Sequence, residues 1–444
     1  MRPAPLAMVA GGVLALAACA GGSGPSDRAD ASGASSQPSS EVSASAPVPT
    51  SRTARPDPRT PPPRPPISDE PSPAVAREAS GRLQRRVDAL SLRQLSHQVQ
   101  VVTVAGRVPT RVGPSAAAAN QTAFGLNTPA EVAERFQPGG IVYFDDNVSS
   151  VPQVRSLSSG LHRASRRGGV PTLLFTDQEG GLVSRLPGPA STAQPAAREL
   201  DGDPTAGLAS ARAVGQEMAE MGLDVDFAPV ADVDTVGGAG VIGDRAFGTE
   251  AAVVARMVRA QTCGYHRGGV GVSLKHWPGH GSTSVDSHLA LPTLMLSRSS
   301  WERDHLPPFV AGIGAGADLV MTGHLAYPRL DPTGRPATLS RELTTGWLRD
   351  RLDFDGVIVT DALEMDALAE WGTPGEVAVQ ALQAGADLLL MSPSPRGAAA
   401  GIRAAVADGE LTRARLEQSV LRVLTVKDAT GLLTGPRELD RCRG

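Results

Sequence analysis

From about residue 75 onward, short apolar runs recur along the chain and alternate with longer stretches of helical pattern. Eight runs have strand length: 101–105, 140–144, 172–176, 225–229, 270–274, 318–322, 356–360 and 387–391. Their apolar residues are continuous and not alternating, the pattern of strands covered on both faces in a parallel sheet. Helix-like segments lie between most of them, for example 128–136 and 206–221. Two further amphipathic helices are predicted near 397–408 and 413–428. Eight such units in about 360 residues fit a (β/α)8 TIM barrel, a single catalytic domain over residues 74–444. A doubly wound sheet fits less well, because no GxGxxG opens a helix after the first strand.

The start of the chain is patterned differently. Arg2 precedes an apolar run from Leu6 to Ala18, which predicts a signal peptide over residues 1–18, too short for a comfortable membrane span. The run ends Leu16-Ala17-Ala18-Cys19, which resembles a bacterial lipoprotein lipobox. That resemblance implies lipidation of Cys19 and anchoring at the extracytoplasmic face of the cell membrane; an ordinary cleaved signal is the alternative. Residues 19–73 are rich in Ser, Ala, Pro and Gly and nearly lack apolar bulk, so a disordered tether is expected. Its length gives a reach of roughly 40 Å.

Composition adds little beyond exclusions. A net charge of −4 with interspersed charges gives no support for nucleic-acid binding. The three cysteines, Cys19, Cys263 and Cys442, show no CxxC or Cys/His spacing, which argues against structural zinc. With Cys19 acylated, Cys263 and Cys442 would share an oxidising compartment and could pair; the sequence leaves that open. A monomer is expected.

Candidate chemistry gathers at strand ends, where barrel enzymes carry their active sites. Asp177-Gln178-Glu179-Gly180-Gly181 follows the third run, Lys275-His276 ends the fifth, Gly323-His324 the sixth and Asp361 the seventh. Lys275 is one of only two lysines in the chain, and three of the eight histidines fall within His276–His288. Asp361 reads equally as a carboxylate in the barrel mouth or as the cap of a following helix. Asp286 and His288, two residues apart in an extended loop, would face the same side and form an acid/base pair, or else stand as solvated loop side chains. His276 and His280 are spaced as metal ligands, but Pro278 and Gly279 break the helix such ligands would need, and no HExxH glutamate is present. No metal and no cofactor is expected.

The segment from Lys275 to His288, KHWPGHGSTSVDSH, resembles the signature of glycoside hydrolase family 3 β-N-acetylglucosaminidases. DQEGGLVSRL from Asp177, DFAPVADVD from Asp226, GDRAFG from Gly243 and TDALEM from Thr360 extend the resemblance over about 350 residues. It implies that Asp361 is the nucleophile of a retaining mechanism and that His288, partnered by Asp286, is the acid/base. Asp177, Arg185, Arg245, Lys275 and His276 would hold the non-reducing-end sugar. In the family a second Asp often follows the nucleophile; here Ala362 stands there. The absence of a C-terminal sandwich suits the single-domain N-acetylglucosaminidase branch. The implied activity is exo-cleavage of GlcNAc from peptidoglycan fragments or chito-oligosaccharides, with water or phosphate as acceptor. A glycan-binding lipoprotein without turnover is the competing reading, as is a metal-dependent hydrolase using the three histidines. The loop from Gly279 to Ser287 is expected to order when substrate binds.

Overall fold

A computed structural model describes residues 73–433 together with Leu439 and Cys442. The predicted signal peptide, Cys19 and residues 19–72 of the predicted tether lie outside the described residues.

All eight apolar runs form strands: β1 (Gln100–Val102), β2 (Gly140–Tyr143), β3 (Leu173–Thr176), β4 (Val225–Asp226), β5 (Gly271–Trp277), β6 (Leu319–Thr322), β7 (Val357–Thr360) and β8 (Leu389–Leu390). They pair in parallel in chain order from β1 to β7, and β8 lies against β1. The Thr360 N–H donates to the Leu388 carbonyl at 3.0 Å and Val359 bridges Leu388, so β7 meets the start of β8 and the (β/α)8 barrel closes. Most strands are shorter than the apolar runs that predicted them. The exception is β5, which continues through Lys275 and His276 to Trp277 instead of ending at His276.

Period two along the strands sorts side chains between two cores. Val142, Leu173, Phe175, Val225, Leu319, Met321, Val357 and Val359 fill the barrel interior, while Ile141, Leu174, Val272, Leu274, Val320 and Ile358 pack outward beneath the helices. Helices begin where sequence supplies caps: Asp203 accepts the Thr205 and Ala206 amides ahead of Pro204–Met221, and Thr373 forms a capping box ahead of Pro374–Ala384.

The N-terminal end of the barrel is organised by three buried aspartates, each just before an even-numbered strand. Asp224, Asp318 and Asp387 accept the backbone N–H of Leu174, Val272 and Ile358 on the preceding odd strand, at 2.9, 3.0 and 3.1 Å. Each also takes a cationic or imidazole partner from a helix: His162, His266, and for Asp387 the three arginines Arg349, Arg415 and Arg422. Helix Arg413–Ala429 lies across this end, with Val423 and Val426 joining the interior core and Lys427 donating to the Gln98 side-chain Oε1 at 2.6 Å. Cys263, on helix Ala251–Gly268, is disulfide-bonded to Cys442, which settles the pairing the sequence left open.

Candidate active site

Asp361 follows β7 directly. Its N–H donates to Thr322 on β6 at 2.9 Å, which fixes the backbone, and its half-buried carboxylate accepts the Ala362 N–H at 2.8 Å. It caps no helix, since the next helical turn, Asp366–Leu368, begins after Met365. Burial alone would raise the pKa of this carboxyl. The neighbouring His324 and His276 imidazoles, the Ala362 amide and His288 outweigh burial and hold it below the ordinary range. His324 is fully buried; its Nε2 donates to the Ala362 carbonyl at 2.9 Å, and its Nδ1 lies 2.8 Å from the Thr338 hydroxyl. Burial lowers the His324 pKa, and the Asp361 carboxylate opposes that fall.

Lys275 occupies the next strand but one and is 2% exposed. Its Nζ lies 2.6 Å from Asp177 and 2.6 Å from Glu179. Glu179 in turn takes Arg245 in a two-point pair at 2.7 and 2.9 Å, and burial is outweighed by Arg245 and Lys275, so its carboxyl sits far below the usual range. The chain of charges continues from Arg245 to His276, 3.4 Å away, and from His276 Nδ1 to the buried Asp232 at 2.7 Å. Asp232 also accepts the His280 amide at 2.7 Å. Beneath the cluster, burial raises the Asp226 pKa well above normal, and Asp177 and Glu179 add to that rise. The turn that brings Asp177 and Glu179 together needs Gly180, whose φ of +92° and 2.2 Å clearance from the Pro195 carbonyl exclude a side chain.

Asp286 and His288 do pair, Oδ1 to Nδ1 at 2.7 Å, but not through an extended loop. Asp286 Oδ1 also accepts the His288 N–H at 2.9 Å, and its carbonyl takes the Leu289 and Ala290 amides, so the segment is an Asx-type turn. The pair stands open to solvent, with His288 69% and Asp286 44% exposed at the side chain. The His288 carbonyl accepts the Asp366 N–H at 3.3 Å, which hangs the pair on the loop after β7. Residues 279–283 are tightly held: Thr235 donates to the Gly281 carbonyl at 3.0 Å, Ser282 bonds His305 at 2.7 Å, and a Cβ on Gly281 would lie 1.9 Å from the Val233 carbonyl oxygen. The exposed residues of the loop are therefore 284–285 and 288–290, with Ser287 buried between them, whereas the sequence suggested one mobile span from Gly279 to Ser287. His280 Nε2 meets the Ser287 hydroxyl at 2.9 Å and ties the two parts together.

Arg185 stands apart, over the Phe144 ring at 4.9 Å and 3.4 Å from Asp145 at the β2 end. The structure thus brings Asp177, Arg245, Lys275 and His276 into one bonded cluster beside Asp361. The sequence placed Glu179 and His324 at strand ends without giving them a role, and did not single out Asp226 or Asp232. The one available signal was acidic or imidazole residues next to otherwise apolar strands. No group of three or more His, Cys, Asp or Glu among the described residues is arranged to hold a metal.

Known proteins resemble this chain in sequence and fold. "Beta-hexosaminidase A" of Pseudoalteromonas piscicida is 32% identical over 326 residues, 67% of this chain and 54% of that protein. "Beta-hexosaminidase" of Xanthomonas axonopodis pv. citri is 38% identical over 57% of this chain and 75% of its own length. A solved β-N-acetylglucosaminidase of glycoside hydrolase family 3 from Paenibacillus sp. superposes with a TM-score of 0.71 at 35% identity, over 78% of this chain and 64% of that one. The chain thus spans about half of the Pseudoalteromonas relative and just under two thirds of the Paenibacillus one. The β-N-acetylhexosaminidase of Beutenbergia cavernae superposes at 0.65 with 30% identity, over 76% of this chain and 99% of its own. The model of the glycosyl hydrolase family 3 N-terminal domain matches residues 98–426, which include all eight strands and every side chain of the cluster, and the chain belongs to glycoside hydrolase family 3.

Proposed function

We propose that the chain is an exo-acting, retaining β-N-acetylglucosaminidase. The observation that carries this reading is the juxtaposition of a backbone-anchored carboxylate, Asp361, whose neighbours lower its pKa, with a His288–Asp286 pair hung on the same loop by the Asp366 amide. Asp361 attacks the anomeric carbon while protonated His288 gives its proton to the leaving oxygen, so the glycosidic bond breaks as the glycosyl–Asp361 ester forms. His288 then removes a proton from water, which displaces Asp361 and returns the sugar with its configuration retained. Asp286 holds the imidazole in one tautomer through both steps. Asp177, the most exposed acceptor on Lys275, addresses sugar hydroxyls together with Arg185, Arg245 and His276. Lys275 supports this by holding Asp177 and Glu179 in place.

Substrates consistent with this reading are β-1,4-linked GlcNAc–MurNAc fragments of peptidoglycan and chito-oligosaccharides, met outside the cytoplasmic membrane by a chain lipidated at Cys19. The Cys263–Cys442 disulfide favours an oxidising compartment. An imidazole acid/base repels an incoming anion less than a carboxylate does, so phosphate is a second acceptor for the glycosyl-enzyme. Incubation with aryl β-GlcNAc and aryl β-glucoside, with and without phosphate, tests the whole reading. Release from the GlcNAc compound is expected, and cleavage of the glucoside alone would overturn it. Only free GlcNAc across a phosphate titration would remove the phosphorolytic branch.

A further inference from the structure

A cavity of about 130 Å³ opens between the loops that follow β7 and β8, lined by Leu363, Met365, Leu368, Ala369, Pro374 and Pro393. That is room for one short aliphatic or acetamido group. Leu363 is two residues from Asp361, so the cavity begins within about 8 Å of the nucleophile's backbone. His288 hangs on the same loop through the Asp366 amide. An acid that protonates the leaving oxygen stands on the leaving-group side of the nucleophile, and here that side is the segment 363–366. Exposed Leu289, 71% accessible, adjoins His288 there. The polar side chains lining the cavity are Glu364, Asp366 and Ser392. No Arg or Lys is among the described lining residues, and the basic group in electrostatic reach of Glu364 is His288 itself.

We propose that this cavity is the leaving-group subsite and takes a small uncharged substituent, such as the acetamido methyl of a second amino sugar, while the Glu364 and Asp366 carboxylates disfavour a leaving sugar that bears its own carboxylate. The proposal rests on the glycosidase reading above and orders the two substrate classes left there: neutral amino-sugar oligomers ahead of GlcNAc joined to a lactyl-bearing sugar.

The test uses the full chain and four substrates: aryl β-GlcNAc, the β-1,4 GlcNAc disaccharide, GlcNAc–MurNAc with its free lactyl carboxylate, and the methyl ester of that compound. Two carboxylates near a third at surface-like screening predict kcat/KM about tenfold higher for the ester than for the free acid at low salt. Raising the salt, or the double change Glu364→Gln and Asp366→Asn, should shrink that ratio toward one. Filling the cavity with Ala369→Trp should lower the ratio of disaccharide to aryl-glycoside kcat/KM. Equal rates on acid and ester, or a ratio untouched by the double change, overturn the subsite while cleavage of the aryl glycoside keeps the glycosidase reading. No cleavage of the aryl glycoside overturns both.

Discussion

At the scale of single residues, Lys275 shows how narrow the choice of side chain is. Two carboxylates approach one Nζ at 2.6 Å each, which an ammonium with three diverging protons satisfies from a single atom. A planar guanidinium would spread those contacts and displace one partner. Lys275→Arg is therefore expected to lower kcat/KM on aryl β-GlcNAc at least about tenfold, and Lys275→Met, which takes the cation from Asp177 and leaves Glu179 with Arg245 alone, to cost about 1–3 kcal/mol in urea unfolding. Asp361→Ala should lower kcat by about three orders of magnitude or more while equilibrium binding of GlcNAc persists; loss of binding as well would point to misfolding or to a site elsewhere. Asp361, Asp286, His288 and Lys275 were legible in the sequence because each lies at or just past a strand end or in a Gly/Pro loop. Glu179 was visible at a strand end but without a role, and Asp226 and Asp232 were not singled out, because their roles depend on partners brought by other elements. A lone Asp in an apolar run does not say which cation or amide it will meet.

At the scale of elements, strand positions followed from continuous apolar runs, but strand lengths did not. Where the sheet stops is set by hydrogen bonds across neighbours: β5 extends to Trp277 because Trp277 still pairs with Thr322 on β6. The aspartates before β4, β6 and β8 have the same origin, recurring in sequence as acidic residues at strand entries whose purpose only the assembled barrel shows. Asp387→Ala would strand Arg349, Arg415, Arg422 and the Ile358 amide at once, and a loss of about 3–5 kcal/mol is expected from chemical denaturation. The loop after β5 divides similarly into a fixed base and an exposed tip. Gly281→Ala drives a Cβ into the Val233 carbonyl and should displace the base, lowering kcat even if the fold survives. Hydrogen exchange should show protection gained on sugar binding in 284–290 and little change in 279–283.

At the scale of the whole molecule, helix Arg413–Ala429 closes the barrel from below. Its Lys427 is fully buried, and burial pushes the ammonium pKa down to about 7. The folded chain thus holds this lysine more weakly protonated than the unfolded chain does. Stability should rise with pH from about 7 toward the ordinary lysine range near 10.4, and Lys427→Met should abolish that rise in denaturation midpoints measured across the window. The same helix sets an order on synthesis. Asp361 is the last of the proposed catalytic and sugar-binding residues, yet the interior core is completed only by Val423, Val426 and Leu432. A chain cut short before Arg413 would carry the whole proposed catalytic apparatus and still have an open floor beneath it. Such a chain should be inactive and aggregate, and a polypeptide still emerging from a ribosome or an export channel is in the same position until its final helix arrives.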